Sequence, residues 1–190
     1  MKLIGINGEI GAGKDTIADF LVANHGFTKI SIGEYIRQGL ICAEWLIKSD
    51  KAIPASVRGL LNSMGRDKRR ALIYAKPTSP AVREALQWFG EMWVIQDPNH
   101  WISPLVSDIR DRQLERVVWC DIRRPLEYQT AKIIGGELWK VTRNIVRRRV
   151  ADIKAAKHIT ETALATHEFD VIITNNGSLA ELSRKVSKLV

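Results

Sequence analysis

The stretch GEIGAGKDT, from Gly8 to Thr16, is the part of the sequence that says most about the fold. It follows a short apolar run, Lys2–Ile6, and it precedes a segment whose apolar residues recur at helical spacing. Glycines in such a strand–loop–helix turn let backbone N–H groups point at phosphate oxygens, and the helix N-terminus adds partial positive charge. A lysine can then reach the outer phosphates. The stretch therefore predicts a phosphate-binding loop for a nucleoside triphosphate. The residues predicted to surround the triphosphate are Gly8, Gly11, Ala12, Gly13, Lys14, Asp15 and Thr16.

Asp15 departs from the usual loop pattern, which has Ser or Thr after the lysine to bind Mg²⁺. A carboxylate is a good ligand for this hard cation. We predict that Asp15 coordinates Mg²⁺, directly or through water, and that Thr16 donates a hydrogen bond to an inner phosphate. The alternative is that Asp15 only supplies a favourable negative charge at the start of a helix.

Strands alternate with helices along the 190 residues, which predicts an α/β fold. We expect a three-layer α/β/α arrangement in which a five-stranded, mainly parallel sheet has helices on both faces, together with a helical lid. One long helix is predicted over 33–48. The strands are predicted at 2–6, 27–32, 116–122, 137–142 and 169–174.

The composition is that of an ordinary globular chain with a net charge of +8. A basic chain favours an anionic partner, either nucleic acid or a phosphorylated small molecule, although basic surface also serves solubility alone. The cysteines, Cys42 and Cys120, offer neither a disulfide framework nor a metal-ligand cluster. Because no apolar run reaches the roughly 18 residues of a membrane span, we expect a cytoplasmic protein with no membrane partner.

Two charged residues follow the apolar run VVWC, at the predicted carboxyl end of a strand. Asp121 ends that run, where a carboxylate commonly orients Mg²⁺ or its water shell beside a phosphate loop. The alternative is that Asp121 caps the following helix. Arg123 would lie at the same strand tip, the edge of an open α/β sheet that favours ligands, and we predict that it contacts phosphate.

The segment 140–157 carries seven basic side chains and one acidic side chain. If it is helical, Arg143, Arg147, Lys154 and Lys157 fall within an arc of about 80°. Such a face suits a lid that closes over the triphosphate and brings Arg143 and Arg147 to the transferring group. A nucleic-acid-binding arm and a solvated helix remain alternatives.

Two resemblances give these features a more specific interpretation. The stretch ISIGEYIRQGL resembles adenylate-kinase-like nucleoside monophosphate kinases at Ser31, Gly33 and Arg37. By that resemblance Arg37 holds the phosphate of the acceptor nucleotide, which suits the two parallel hydrogen bonds of a guanidinium. The whole chain resembles phage-type deoxynucleoside monophosphate kinases in the order of the pieces GKDTIADFL, VREALQWFG, DPNHW, CDIRRPLEY, HITETAL and FDVIITNNGSLAEL.

The phage-type resemblance implies further site residues. Arg83 and Gln87, four residues apart on one helix face, would contact the acceptor nucleotide. Asn175 and Asn176 would border the adenine of ATP, although Asn-Asn-Gly is equally a good turn sequence. Apart from that resemblance, the residues after VVWC predict that Glu127 orients Arg123 by pairing with it.

These observations predict a nucleotide kinase that uses ATP and Mg²⁺. It would transfer the γ-phosphoryl group to the 5′-phosphate of a deoxynucleoside monophosphate within a single domain, 1–190. About 33–97 would bind the acceptor, and about 143–167 would form the lid. Alternatives are a kinase of another phosphorylated small molecule, such as dephospho-coenzyme A, and a nucleic-acid-binding NTPase. Nucleic acid is a less expected partner because no second subdomain couples hydrolysis to strand movement. A homodimer is a possible assembly, and the expected location is the cytoplasm, that of the host if the chain is phage-encoded.

Overall fold

The computed structural model describes residues 1–49, 52–62, 65–76, 78–144 and 163–190. These residues form two compact units. The first unit comprises Met1–Ser31 together with Pro104–Val190, and the second comprises Ile32–Ser103. Of the predicted lid, only Arg143, residue 144 and 163–167 are described, so Arg147 and most of the lid lie outside the described residues.

A five-stranded, entirely parallel sheet forms the centre of the first unit. Its strands are β1 (Lys2–Gly8), β2 (Thr28–Ile30), β3 (Arg116–Trp119), β4 (Glu137–Thr142) and β5 (Val171–Thr174). They are arranged in the order β2-β3-β1-β4-β5, which places β1 in the middle, with Gly5 opposite Trp119 on one side and Leu138 on the other. The predicted strands are confirmed. Because all of them are parallel, the loops that follow their carboxyl ends meet at one edge of the sheet.

The described helices are α1 (Lys14–His25), α2 (Ile32–Ile41), α3 (Ala55–Asn62), α4 (Arg66–Tyr74), α5 (Pro80–Gln96), α6 (Ile102–Asp111), α7 (Pro125–Ile133) and α8 (Leu179–Ser187). Successive side chains of a strand point to opposite faces. On one face, Ile4 and Ile6 of β1 join a buried cluster with residues of α1 and α8. On the other, Leu3 packs beside Gly136, just after α7. The predicted three-layer α/β/α arrangement is therefore confirmed.

The second unit is built from α2–α5, and its close packing depends on two glycines. A Cβ atom at Gly39 would lie 2.9 Å from the Phe89 ring, and one at Gly90 would lie 2.9 Å from Ile36. Since these contacts join α2 and α5, the two helices approach each other more closely than larger side chains would permit. Among the described residues, no helix is both long and apolar enough to cross a membrane.

The helix predicted over 33–48 is wrong as a single element. It ends at Ile41, and a 3₁₀ helix, Glu44–Lys48, follows. The buried guanidinium of Arg69, from α4, donates hydrogen bonds to the Ile41 carbonyl and to Glu44. At the end of α2, the Arg69 side chain therefore donates the hydrogen bond that a backbone N–H would donate in a longer helix. The local sequence does not reveal this contact, because Arg69 lies far along the chain.

Candidate nucleotide-binding site

The predicted phosphate loop connects the end of β1, at Gly8, to the start of α1, at Lys14. Two of its glycines adopt left-handed backbone conformations, Gly11 at φ 80° and Gly13 at φ 106°. A Cβ atom at Gly13 would also clash with the side-chain nitrogen of Asn175. Both positions favour glycine for the backbone conformation, and Gly13 also requires it for the close approach.

A cavity of about 310 Å³ opens beside this loop. Its volume is within the range of small-molecule sites. It lies at the sheet edge where the strands end, the usual ligand position in open α/β sheets. The lining residues are Gly11, Gly13, Lys14, Asp15, Thr16, Arg143, Asn175, Gly177 and Leu179. Predicted loop residues, the first lid arginine and the segment after β5 therefore contribute to one cavity.

Lys14 is buried at the base of the loop and folds back onto it. Its Nζ donates hydrogen bonds to the carbonyl oxygens of Gly8 and Glu9, the latter at 2.9 Å. Burial, together with the positive charge of Arg123, lowers the pKa of Lys14 to about 8 against the opposing effect of Asp15 and Asp121. A phosphate beside this ammonium would favour its charged form.

Asp121 and Arg123 lie beside the loop, as predicted from their position after β3. Backbone hydrogen bonds to Ile30 and Ile6 hold the residues on each side of Asp121. Its Oδ2 accepts a hydrogen bond of 2.7 Å from the hydroxyl of Ser31, which follows β2. Since Lys14 experiences the charges of Asp121 and Arg123, the structure brings these predicted residues together around the lysine.

The predicted metal ligands fit a magnesium ion bound mainly by phosphates. No group of three or more His, Cys, Asp or Glu side chains within the described ranges could hold a metal ion by itself. Mg²⁺ in kinases usually takes only one or two carboxylates, keeps several waters and binds substrate phosphates. Asp15 and Asp121, which both act electrostatically on Lys14, supply that number of carboxylates.

Glu127 supports the loop between β3 and α7 through the backbone of that loop, and its pairing with the Arg123 guanidinium stays a prediction. Its carboxylate is buried, and its Oε2 accepts hydrogen bonds from the backbone N–H groups of Arg123, at 2.6 Å, and Arg124, at 3.1 Å. Burial raises the pKa of Glu127 to about 7, helped by the negative charge of Asp121 and opposed by the two backbone donors and Arg124. Glu127 therefore fixes the backbone that carries Arg123.

We expect Glu127→Gln to change how stability depends on pH. Because the folded-state pKa of about 7 exceeds the reference value of 4.5, the folded protein retains a proton here that the unfolded chain releases. Raising the pH from about 4.5 to 7 should then cost the parent about 3 kcal/mol of unfolding free energy relative to Glu127→Gln. Urea unfolding at a series of pH values measures this difference.

The control for this prediction is Glu181→Gln. Glu181 accepts a hydrogen bond of 2.8 Å from the backbone N–H of Ser178 at the exposed start of α8, so the variant tests the general loss of a capping carboxylate. If the unfolding free energies of the parent and of Glu127→Gln depend on pH in the same way, Glu127 does not retain its proton in the folded protein and the prediction is wrong.

Asn175 lies against the phosphate loop itself. It is buried, and its side-chain nitrogen donates a hydrogen bond of 2.8 Å to the carbonyl oxygen of Ala12. Asn176 instead accepts a hydrogen bond from the backbone N–H of Asn144, at 2.8 Å. Asn175 thus both lines the cavity and holds the loop from β5, a role that its position after a strand at the same sheet edge could have indicated.

The predicted acceptor residues lie on two packed helices of the second unit. Arg37 is on α2, and Arg83 and Gln87 are on α5, all partly buried. The Arg37 guanidinium lies 4.0 Å from a carboxylate oxygen of Glu34 and 5.9 Å from the ring centre of Tyr74. The Tyr74 hydroxyl also donates to Glu34.

Sequence reasoning missed these partners of Arg37. Glu34 is three residues before Arg37 on the same helix face, so the sequence could have indicated that these two side chains pair. Tyr74 comes from α4, which local patterns do not relate to α2.

Comparison with known proteins agrees with these features. A profile of the family described as deoxynucleotide monophosphate kinase matches residues 60–186. The deoxynucleotide monophosphate kinase of Enterobacteria phage T4 is 22% identical over 98% of this chain and 97% of its own length. That of Escherichia phage RB69 is 28% identical over 58% of this chain and 50% of its own.

Among solved structures, dephospho-CoA kinase from Campylobacter jejuni has a similar fold. Its TM-score is 0.51 at 15% identity, with 100% of this chain and 96% of the other covered. That likeness concerns the fold alone. The family match extends over about two thirds of the sequence and includes β3, Asp121, Arg123 and the segment after β5. The chain therefore belongs to the deoxynucleotide monophosphate kinase family and is a kinase enzyme.

Proposed function

We propose that this kinase transfers the γ-phosphoryl group of ATP to the 5′-phosphate of a deoxynucleoside monophosphate, giving ADP and a deoxynucleoside diphosphate. The observation that carries the proposal is the buried ammonium of Lys14 at the base of a glycine loop, with Arg123 and two carboxylates acting on it. A positive site of this kind suits a triphosphate and its metal ion.

The chain's own residues would contribute mainly position and charge. The acceptor's phosphate oxygen is the nucleophile, and it is already ionised at neutral pH, so no side chain needs to remove a proton from it. Backbone N–H groups of the loop would hold the phosphates of ATP, Lys14 would bind the outer ones, and Thr16 would donate to an inner one. When bound, Mg²⁺ would supply neutralising charge between the phosphates, held by Asp15 and Asp121.

Arginines would neutralise the charge that develops on the transferring group. The electrostatic effect of Arg123 on Lys14 and the position of Arg143 in the cavity lining support this role for both arginines. Arg147, beyond the described residues, would act with Arg143. Such preorganised charge commonly contributes a factor of about 100 to 1000 for one contact.

The acceptor nucleotide would be bound by Arg37, Arg83 and Gln87 in the second unit. Arg37 is held by Glu34 and Tyr74, which limits its rotamers before a ligand binds. A guanidinium fixed in this way loses less conformational entropy on gripping a phosphate. The amide of Gln87 offers both a donor and an acceptor to a base edge.

The acceptor is identified by a coupled assay for ADP. We would measure ADP production with Mg²⁺-ATP and, separately, each of the four DNA nucleoside monophosphates, AMP, dephospho-coenzyme A and single-stranded DNA. The proposal predicts stimulation by one or more deoxynucleoside monophosphates well above the rate with water alone. Stimulation by dephospho-coenzyme A or DNA, with none by a monophosphate, would contradict it.

We expect Arg37→Ala to impair use of the monophosphate and to spare binding of ATP. Loss of one or two charge-assisted hydrogen bonds should lower kcat/KM for the acceptor by roughly 10- to 100-fold. Arg37→Lys should restore only part of this loss, because an ammonium cannot form two parallel hydrogen bonds with one phosphate. Steady-state kinetics with each substrate varied in turn separates the two effects.

Arg58→Ala is the matched control, since Arg58 is an exposed arginine on α3 of the same unit. It should leave kcat/KM for the acceptor within about twofold of the parent, as expected for a surface substitution. Unchanged acceptor kinetics in Arg37→Ala would show that Arg37 is not a phosphate ligand.

A further inference from the structure

The carboxylate of Asp15 lies in an ion pair that the loop sequence does not indicate. Lys29, on β2, donates hydrogen bonds to Oδ1 of Asp15, at 3.0 Å, and to Oδ1 of Asp19, at 2.9 Å. The two aspartates are four residues apart and so lie on one face of α1. One ammonium therefore bridges two carboxylates at the start of the helix that follows the phosphate loop.

Lys29 is well placed to hold this arrangement. Its side chain is 30% exposed, whereas those of Asp15 and Asp19 are 77% and 68% exposed. A lysine ammonium is charged at neutral pH. Here it is fixed on a strand of the sheet, while the two carboxylates extend toward solvent.

The ion pair between Lys29 and Asp15 affects the charge beside the phosphate loop. Asp15 lines the cavity beside Lys14, where the phosphates of a nucleotide would lie. An unbalanced carboxylate at that position would repel those phosphates. With Lys29 within hydrogen-bond distance, Asp15 forms part of a group in which one ammonium balances one of two negative charges. The same carboxylate keeps lone-pair sites for a metal ion, because an ionised carboxylate accepts about four hydrogen bonds or ligand contacts.

We infer that Lys29 is a positioning residue of the phosphate loop, which balances and orients the Asp15 carboxylate so that nucleotide phosphates can bind beside it. Lys29 acts through Asp15 and does not itself contact the nucleotide. It thereby compensates for the replacement of the usual hydroxyl by a carboxylate. This inference rests on the proposed binding of ATP at the loop.

The test is a double-mutant cycle on binding of metal-free ATP, measured by calorimetry in EDTA at low ionic strength. Lys29→Met removes the charge and keeps most of the side-chain length. It should weaken binding about tenfold, because the carboxylate then repels the phosphates at close range. Asp15→Asn alone should leave binding equal to or tighter than that of the parent. In the Lys29→Met background, Asp15→Asn should restore the dissociation constant to within about threefold of the parent.

Asp19→Asn is the matched control. It removes the second carboxylate of the same ion pair, one helical turn farther from the loop, and should change the dissociation constant by less than twofold. Added salt should reduce the effect of Lys29→Met, since screening weakens interactions between exposed charges. A purely structural role for Lys29 would produce neither the rescue by Asp15→Asn nor this salt dependence.

Each outcome of the cycle decides the inference. If Lys29→Met binds ATP as tightly as the parent, or if Asp15→Asn fails to rescue it, the inference is wrong. If Lys29→Met weakened binding only by making the protein less stable, the double variant would bind weakly too, because it carries the same methionine. Rescue by Asp15→Asn therefore excludes that explanation. If the parent itself binds no ATP, with or without Mg²⁺, the proposed function has failed, and that result is distinct from failure of the cycle.

Discussion

Lys14→Met should abolish most of the kinase activity while leaving the fold at least as stable as that of the parent. The ammonium of Lys14 is the positive group at the base of the loop, so its removal should lower kcat by about 100- to 1000-fold. Burial already lowers the pKa of Lys14 to about 8, so a charged Lys14 at neutral pH costs folding free energy that methionine does not. Activity and thermal unfolding of the same preparation measure both effects.

Lys188→Met is the control for this result, because Lys188 is an exposed lysine at the end of α8. Its activity and melting temperature should both match those of the parent. A Lys14→Met protein that retains more than about a tenth of the parental kcat would show that the loop lysine does not stabilise the transferring phosphates. A large loss of stability would instead assign Lys14 a structural role.

Arg69→Met should cause the largest loss of stability among the substitutions considered. Arg69 is fully buried in the second unit. Its guanidinium donates to the carbonyls of Leu60, at 3.1 Å, and Leu61, at 3.4 Å, near the end of α3, and to that of Ile41 at the end of α2. These are carbonyls that a helix end leaves without a backbone donor. The variant should lose about 3–5 kcal/mol of unfolding free energy, as when a buried charge network is broken.

The neighbouring Arg66 supplies a matched control. Arg66 pairs with the same Glu44 carboxylate, at 3.1 Å, but its side chain is 66% exposed. Arg66→Met should therefore cost less than about 1 kcal/mol. Urea unfolding of both variants tests the contrast. Equal losses in the two variants would show that the hydrogen bonds to the helix ends do not stabilise the second unit.

The sequence alone predicted which residues meet at the carboxyl edge of the sheet, because the patterns that mark these residues are local. A glycine loop between an apolar strand and a helix specifies the turn by its own residues, and a polar residue after an apolar run marks the end of a buried strand. Parallel pairing then brings Lys14, Asp121 and Asn175 to one edge without further information. The positions of these residues therefore followed from three short stretches and one rule of topology.

The errors and omissions concern contacts between segments distant in sequence. Arg69 is one of several basic residues in RDKRR, and nothing in that run distinguishes it from the exposed Arg70. Its burial interrupts the helix predicted over 33–48. Lys29 is likewise one polar residue in a short strand, and nothing in the local sequence pairs it with Asp15 and Asp19 of the preceding helix. Only packing of the complete chain identifies such partners.

The most direct test of the proposed function follows the transferred group itself. The enzyme would be incubated with Mg²⁺ and ATP labelled with ³²P at the γ-phosphate, together with an unlabelled deoxynucleoside monophosphate, and the products would be separated by anion exchange. We expect the label to appear in the deoxynucleoside diphosphate in step with ADP formation, and we expect Lys14→Met to remove this signal. Label found only in inorganic phosphate, with no labelled nucleotide product for any of the four monophosphates, would contradict it.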